Sequence, residues 1–268
     1  MLGRAGRYLA VTYGVSWGAW GVLLVSGLRP FESPGVLAFL LGGLGPAVGG
    51  VGLTVAEGPA ARREYWTRLV DTSRVGATWL FVVLSLPVFV TVAGLVGAGV
   101  VGDPRGLLAP SVPADVTGFL GFLGFALLFG PLPEELGWRG YLLDPLLDRF
   151  GALAASLSVG LLWAGWHLPL FFLTGTYQAG LGVGTPDFWL FGYFVVAYSV
   201  LFTWVHVHTG RSILAAVLFH FAINASGELF RSTLGADLAS AGLLLVVVGV
   251  VVVVAGPEGL RRGGETPT

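Results

Sequence analysis

Polar residues that could perform chemistry interrupt three apolar stretches of this chain. They are Glu134, Glu135 and Arg139 in P-E-E-L-G-W-R-G, His167 in W-A-G-W-H-L-P, and His220 and Asn224 in F-H-F-A-I-N. An ionisable group at membrane depth is costly unless it is paired or hydrated, so each of these residues is a candidate functional residue. Three such segments that can meet at one depth indicate a catalytic centre.

These residue types suit hydrolysis of a peptide bond without a covalent intermediate. A carboxylate can take a proton from water as a general base, and a neighbouring histidine can hold that water or pass the proton to the leaving amine. A second histidine and an amide can donate hydrogen bonds to the oxyanion of a tetrahedral intermediate. The sequence has none of the G-x-S-G, G-x-G-D or H-E-x-x-H motifs of other membrane proteases.

A metal site is the rival interpretation of the same residues. Glu134, His167 and His220 match the ligand set of a catalytic zinc ion with one open position. Those ligands would come from three separate segments, however, and H-E-x-x-H is missing. We therefore favour a glutamate mechanism that needs no cofactor, with zinc as the alternative.

The spacing within each motif predicts local partners. Glu135 and Arg139 are four residues apart, so they can pair on one helix face and leave Glu134 on a neighbouring face. His220 and Asn224 are also four apart and share a face. Pro133 stands where a first helical residue would, which places both glutamates in the positive first turn of a restarted helix. The alternative for each pair is a buried polar clamp that only locks helices together.

Composition shows which elements must position these residues. The 268 residues are 55% hydrophobic and only 11% charged, whereas a soluble domain has about 25% charged residues. The chain is therefore predicted to be an all-α polytopic membrane protein, with residues 1–268 as one integral domain in the lipid bilayer. A net charge of −1 gives no reason to expect nucleic acid as a partner, and without cysteine there is no thiolate site or cysteine nucleophile.

Eight segments have the length and apolar character of membrane spans. They are 8–27, 35–56, 75–100, 117–143, 152–174, 188–208, 211–230 and 238–256. The first could also be a signal peptide, but no small-x-small cleavage site follows it, so we interpret it as a helix. Pro46, Pro87 and Pro169 should each bend or open their helices, and the glycine-rich run 42–50 should allow a close helix contact.

The candidate residues fall at similar depths. If the fourth and fifth spans form a hairpin turning near 149–151, Glu134 and His167 are almost equally far from the turn. The charged residues Asp144, Asp148 and Arg149 suggest that the hairpin tip projects into the cytoplasm. Glu134 would then lie about 14 Å inside its helix, and His220 about 14 Å beyond Arg211, at 1.5 Å per residue.

Arginine positions predict the orientation in the membrane. With a cytoplasmic N-terminus, the inner side has Arg4, Arg7, Arg62, Arg63, Arg68, Arg74, Arg149, Arg211, Arg261 and Arg262. The outer side has only Arg29, Arg105 and Arg231. This bias predicts that both termini are cytoplasmic in a multi-pass protein of the plasma membrane. The polar stretch 57–74 is predicted to lie on the inner surface as an interfacial helix.

The three motifs together resemble those of the CPBP intramembrane proteases, also called the Abi group, which includes type II CAAX prenyl endopeptidases and bacteriocin-processing or self-immunity proteins. The resemblance covers a core of about 117–230 and rests on E-E-x-x-x-R, aromatic-x-x-x-His and H-x-x-x-N in this order. It implies an eight-helix bundle in which Glu134 and His167 activate water, His220 and Asn224 stabilise the oxyanion, and Glu135 and Arg139 support them. The second motif has Trp163 where the family often has phenylalanine.

Further aromatic and histidine residues lie near these motifs. Trp138, Trp163 and Trp166 adjoin the candidate residues and could line a substrate groove. His206 and His208 lie near the inner end of their span and are interpreted as interfacial histidines without a catalytic role.

The sequence favours an intramembrane endopeptidase but leaves its substrate open. A prenylated, CAAX-like C-terminus, a bacteriocin-type leader and a membrane-anchored regulator are all compatible with the motifs. A proton-coupled transporter is an alternative, because intramembrane Glu, His and Arg also build proton relays. A non-catalytic membrane scaffold or self-immunity protein is the third possibility.

Overall fold

Helices form nearly all of the protein. The computed structural model describes residues 3–99, 109, 115–230 and 233–260, and no strand element occurs in those ranges. The α-helices are α1 Arg4–Ser26, α2 Gly35–Gly43, α3 Gly45–Ala56, α4 Pro59–Val70, α5 Ala77–Gly97, α6 Val116–Leu128, α7 Pro131–Gly137, α8 Leu143–Phe150, α9 Ala152–Trp166, α10 Tyr177–Leu181, α11 Pro186–His208, α12 Ile213–Leu229 and α13 Leu234–Ala255. The fold is thus an all-α polytopic membrane protein, as predicted.

Each predicted span corresponds to one helix or to a series of consecutive helices. Six helical stretches in the described ranges are long and apolar enough to cross a membrane. They are Arg4–Ser26, Ala77–Gly97, Val116–Phe150, Ala152–Phe172, Pro186–His208 and Leu234–Ala255. The pair α2 and α3 is a seventh candidate, bent by 52° at its break, and α12 is a shorter apolar helix. The predicted total of eight membrane spans therefore requires both the bent pair and α12 to cross the membrane.

Two of the three prolines interrupt a helix as predicted. Pro46 lies in the first turn of α3, directly after the bend from α2. Pro169 lies in the 3-10 helix Leu168–Phe172, which follows the end of α9. Pro87, by contrast, is inside the continuous helix α5. Proline ends a helix where its ring and missing N–H disrupt the preceding turn.

The restart of the fourth span differs from the prediction. Helix α7 begins at Pro131 rather than Pro133, and Glu134 is the acidic residue of its first turn. Glu135 lies beyond that turn, so the positive end of the helix favours one carboxylate and not both. The reason is that Gly130 breaks α6 from α7 and Pro131 already supplies the fixed φ and missing N–H that suit a first helical position.

The glycine-rich run 42–50 makes the predicted close contacts. A Cβ on Gly45 would overlap Ser16 of α1, and a Cβ on Gly50 would overlap the backbone of Leu136 and Gly137. Gly137 in turn faces Pro46 and Tyr8. Helix α3 therefore packs directly against α1 and α7, and this contact fixes the helix that carries Glu134 and Glu135.

Arginines predicted on the inner side make contacts at one end of the bundle. Arg4 Nη2 lies 2.7 Å from Glu57 Oε2, and the Tyr141 hydroxyl donates to Glu57 Oε1 at 2.6 Å. Arg74 Nη1 donates to the Gly210 carbonyl at 2.6 Å. The ends of α1, α3, α11 and the segment after α7 are thus joined by charged groups. Arg105, Arg231, Arg261 and Arg262 lie outside the described residues.

Asp144 is part of this charged end rather than a solvated hairpin tip. Its carboxylate contacts Arg68 Nη1 at 2.8 Å, His206 Nε2 at 3.0 Å and Arg211 Nη1 at 3.6 Å. His206 is completely buried, so the interpretation of this residue as an interfacial histidine was wrong. The three positively charged or imidazole groups around Asp144 explain how a carboxylate can be accommodated between α4, α8 and α11.

Candidate active site

The candidate residues come from three packed segments. Helix α7 is followed without a break by a π-helix, Trp138–Leu142, which contains Arg139. Helix α9 ends at Trp166, so His167 caps its C-terminus before the 3-10 turn that contains Pro169. Helix α12 carries His220 and Asn224 and packs against α7. Single-turn π-helices occur frequently at functional sites because they rotate the side chains that follow.

Glu134 faces α9. Its Oε2 accepts a hydrogen bond of 2.6 Å from Trp163 Nε1, and the residue is 8% exposed. The indole N–H is a donor only, so this contact requires an acceptor on the carboxyl group. This hydrogen bond uses Oε2, so Oε1 is the carboxyl oxygen that could receive a proton.

Glu135 is bound by two partners in the interior. Arg139 Nη1 contacts both carboxyl oxygens, at 2.9 and 3.1 Å, and His220 Nδ1 lies 2.8 Å from Oε1. Neither Glu135 nor Arg139 is exposed. The predicted Glu135–Arg139 pair is confirmed, and it leaves Glu134 to a different neighbour, as expected. The histidine contact was not predicted, since it joins residues from two different helices.

Arg139 lies between two aromatic rings. Its guanidinium carbon is 3.7 Å from the centroid of Phe202 and 4.5 Å from that of Trp163. Nη2 reaches Ser199 Oγ at 3.4 Å, and Ser199 donates to the Ser156 carbonyl at 2.8 Å. Sequence reasoning missed Phe202 and Ser199, because a serine or phenylalanine in an apolar helix gives no distinctive signal. Cation–π contacts of this kind stabilise a desolvated guanidinium.

The two histidines have different partners. His167 Nδ1 is 2.8 Å from the Trp163 carbonyl, which only accepts, so this nitrogen carries the hydrogen and Nε2 keeps a lone pair in the neutral ring. His220 Nδ1 also donates, but to the carboxylate of Glu135. The two imidazoles are therefore held by different kinds of acceptor, a neutral carbonyl and a carboxylate.

Asn224 lies beside the start of α7. A Cβ built on Gly130 would be 3.4 Å from Asn224 Nδ2, so the amide is close to the backbone turn that precedes Glu134. Asn224 is partly buried, one helical turn beyond His220. The predicted shared face of His220 and Asn224 thus points towards α7.

The three tryptophans of the predicted groove are interior residues. Trp138 and Trp166 are almost inaccessible and pack against each other with ring centroids 6.2 Å apart. Tyr8 and Trp20 cover them from α1. Trp138 and Trp166 therefore support the site from behind instead of lining an open groove, because α1 occupies the surface that they would present. Trp163 contacts the candidate residues themselves.

The zinc alternative receives no support from the side-chain arrangement. Across residues 3–99, 109, 115–230 and 233–260, no three His, Cys, Asp or Glu side chains are placed to hold a metal ion. Of the three ligands considered, Glu134 bonds to the Trp163 indole, His167 to the Trp163 carbonyl and His220 to Glu135.

Surface helix α4 stabilises the segment that carries the glutamates. The Tyr65 hydroxyl donates to the Leu136 carbonyl at 2.6 Å, and Arg68 Nη2 donates to the Arg139 carbonyl at 3.2 Å. Burial raises the pKa of Tyr65, so its hydroxyl stays protonated and remains a donor. The exposed Arg62, Arg63 and Trp66 of α4 agree with the predicted interfacial helix.

Comparison with known proteins identifies the segment that contains these side chains. Residues 116–226 match the model of a family described as type II CAAX prenyl endopeptidase Rce1-like. This segment is therefore similar to the Rce1-like family. The matched segment contains every candidate residue from Glu134 to Asn224, and the predicted resemblance to the CPBP proteases is confirmed.

A curated relative agrees with the family match. The chain is 33% identical over 131 residues to CAAX prenyl protease 2 of Methanococcus maripaludis. The aligned region is 48% of this chain and 48% of the relative, so the chain spans about half the length of the relative that it matches.

Proposed function

We propose that the protein is an intramembrane endopeptidase that uses Glu134 to activate water. The observation that carries this proposal is that Glu134, His167 and His220 all contact the same residue, Trp163. Its Nε1 bonds to Glu134, its carbonyl bonds to His167, and its ring centroid is 5.1 Å from that of His220. A carboxylate beside two imidazoles in apolar helices is suited to proton transfer.

The reaction begins with removal of a proton from water. Glu134 takes the proton, and the water oxygen forms a bond to the carbonyl carbon of the scissile peptide while the carbonyl electron pair moves to its oxygen. The C–N bond then breaks, and the proton held by Glu134 or His167 passes to the departing nitrogen. The products are a carboxylate and an amine, so no cofactor enters the balance, and zinc is not part of the proposed mechanism.

The different partners of the two histidines support different roles. His167, bonded to a neutral carbonyl, keeps a lone pair on Nε2 that can hold the water or receive its proton. His220, bonded to Glu135, can carry a proton on Nε2 and donate it as a hydrogen bond to the oxyanion. Asn224 Nδ2 supplies the second donor. Arg139 pairs with Glu135 and so holds the acceptor of the His220 Nδ1–H.

We propose cleavage near the cytoplasmic face of the plasma membrane, with both termini in the cytoplasm. The contacts of Arg4, Arg68 and Arg74 at one end of the bundle support this orientation, since arginines concentrate on the inner side. The relative's name, CAAX prenyl protease 2, makes a prenylated C-terminus the first substrate to test. A bacteriocin-type leader and a membrane-anchored regulator are the other membrane-associated substrates considered.

The decisive experiment compares wild type with Glu134→Gln in liposomes containing a peptide that ends in a farnesylated cysteine and three further residues. Wild type should release the C-terminal tripeptide, and Glu134→Gln should do so at least about 100-fold more slowly, because the amide cannot accept the proton. Glu64→Gln, an exposed change on α4, is the matched control and should retain activity. Mass spectrometry of the tripeptide gives the rates.

The same liposomes test the rival functions. A pH-sensitive dye inside them reports proton flux, and flux without cleavage that is lost in Glu134→Gln would indicate a transporter. Equal cleavage by wild type and Glu134→Gln would rule out the proposed role of Glu134. If wild type leaves the farnesylated peptide intact, comparative proteomics of cells with either form identifies any other membrane peptide that accumulates unprocessed. No accumulation would indicate a scaffold.

A further inference from the structure

Trp163 contacts Glu134, Arg139 and both histidines of the site. Its Nε1 donates to Glu134 at 2.6 Å and its carbonyl accepts from His167 at 2.8 Å. Its ring faces the guanidinium of Arg139 at 4.5 Å and lies edge-on to His220 at 5.1 Å between centroids. Trp163 is itself 4% exposed, so these contacts are shielded from solvent.

The indole N–H constrains Glu134 in a way that a hydrocarbon ring could not. It donates one hydrogen bond, never accepts one and does not ionise in the physiological range. A bond of 2.6 Å to Oε2 therefore fixes the rotation of the carboxylate and leaves Oε1 for the water. A hydrogen bond to the charged form of a carboxyl group also favours that form over the neutral one.

We propose that Trp163 is a positioning residue that orients the Glu134 carboxylate through its Nε1–H and favours its charged form. This inference rests on the proposed endopeptidase function, since it assigns the base of that reaction a fixed geometry. The same side chain spaces Glu134 from Arg139, because its ring covers the guanidinium while its N–H holds the carboxylate.

Other ionisable groups also face Glu134 and set the background for any pH effect. Glu135 and Arg139 come from its own segment and His220 from α12, while His167 lies one turn beyond Trp163 at the end of α9. The helices α3 and α6, which also pack against α7, have no ionisable side chain within Gly45–Ala56 and Val116–Leu128. Among these groups, Trp163 is the neutral hydrogen-bond donor to Glu134. Replacing its indole N–H therefore removes this hydrogen bond without changing the charge of any group.

The test is the pH dependence of peptide cleavage by Trp163→Phe in the farnesylated-peptide assay. Loss of the N–H should lower kcat by roughly 10- to 100-fold, as expected for a hydrogen bond to a charged group. The acid limb of the pH–rate profile should move to higher pH, because Glu134 becomes easier to protonate. KM should change little, since Trp163 is not expected to bind substrate.

Trp20→Phe is the matched control. Trp20 is equally buried and also loses an N–H bond, to the Phe39 carbonyl at 3.1 Å, but it does not touch Glu134. It should leave the acid limb in place. If Trp163→Phe does not fold, 3-benzothienylalanine at position 163 replaces only the N–H by sulfur and keeps the shape of the ring, and the same limb shift is expected.

Each outcome has a defined meaning. A limb shift in Trp163→Phe or the benzothienyl form, absent from Trp20→Phe, supports the positioning role. An active Trp163 variant with an unmoved limb overturns that role and leaves the endopeptidase proposal intact. Wild type without cleavage of any peptide, or Glu134→Gln with full activity, overturns the endopeptidase proposal itself and the role of Trp163 with it.

Discussion

Glu135 is a buried carboxylate whose charge is compensated by two partners. Arg139 and His220 contact it at 2.9 and 2.8 Å, and the Glu135–Arg139 pair is inaccessible to solvent. Removal of one partner from a buried ion pair is strongly destabilising because the other charge is left without compensation. We therefore propose that Glu135 and Arg139 serve the site chiefly by holding His220 and by joining the α7 segment to α9 and α12.

We expect Arg139→Met to be destabilised by about 3–5 kcal/mol. The double variant Glu135→Gln/Arg139→Met should lose less than the sum of the two single variants, because it leaves no isolated charge. The measurement is thermal unfolding in detergent of the purified wild type, both single variants and the double variant, which together form a double-mutant cycle. Additive losses would mean that the two side chains do not act as a pair.

At the scale of elements, the contact between α3 and α7 determines where Glu134 lies. Gly50 of α3 lies against the backbone of Leu136 and Gly137, with no room for a side chain. The contact is made of backbone atoms, so a larger residue cannot be accommodated by a change of rotamer. The π-helix that follows, Trp138–Leu142, then directs Arg139 between Phe202 and Trp163.

We expect Gly50→Ala to destabilise the protein by about 1–3 kcal/mol, the usual effect of overpacking. Gly52→Ala on the same helix is the matched control, because a Cβ there has nothing within 4 Å. That variant should be neutral or slightly stabilised, since alanine favours helix over glycine. Thermal unfolding in detergent compares the two. A Gly50→Ala variant as stable as Gly52→Ala would show that α3 and α7 can move apart without loss of stability.

At the scale of the whole molecule, ion pairs join several helices at one end, and the long helices expose mainly apolar side chains. Asp144 joins α4, α8 and α11 through Arg68 and His206, and Arg4 joins α1 to Glu57. The large exposed side chains on the long helices are mostly apolar, such as Phe81, Val246 and Val253, which suits contact with lipid. The arginines at this end support the proposed orientation, because arginine concentrates on the inner side of membrane proteins.

Cysteine labelling tests this orientation, and the chain has no native cysteine to interfere. In intact cells, a membrane-impermeant maleimide should label Glu32→Cys, in the loop between α1 and α2, but not Arg62→Cys on α4. Both residues are exposed. Permeabilised cells should label both. Labelling of Arg62→Cys in intact cells would reverse the proposed topology.

Short-range patterns were sufficient for the class of protein and for part of the site. Hydrophobic length predicted the helical membrane fold, and the four-residue spacing predicted the Glu135–Arg139 pair, because both depend on residues that are close in sequence. The three motifs and their order were sufficient to recognise the resemblance to the CPBP proteases. Prolines 46 and 169 marked real breaks, whereas Pro133 suggested the wrong starting residue for α7.

Only the tertiary structure decided which side chains meet across helices. The contact between His220 and Glu135 spans 85 positions, that between His206 and Asp144 spans 62, and Trp163 reaches Glu134 across 29. Such contacts depend on the rotation and offset of each helix, which the break at Gly130 and the π-helix after Gly137 both change. Sequence spacing determines neighbours along one helix, but the packing of several helices determines which atoms face each other between them.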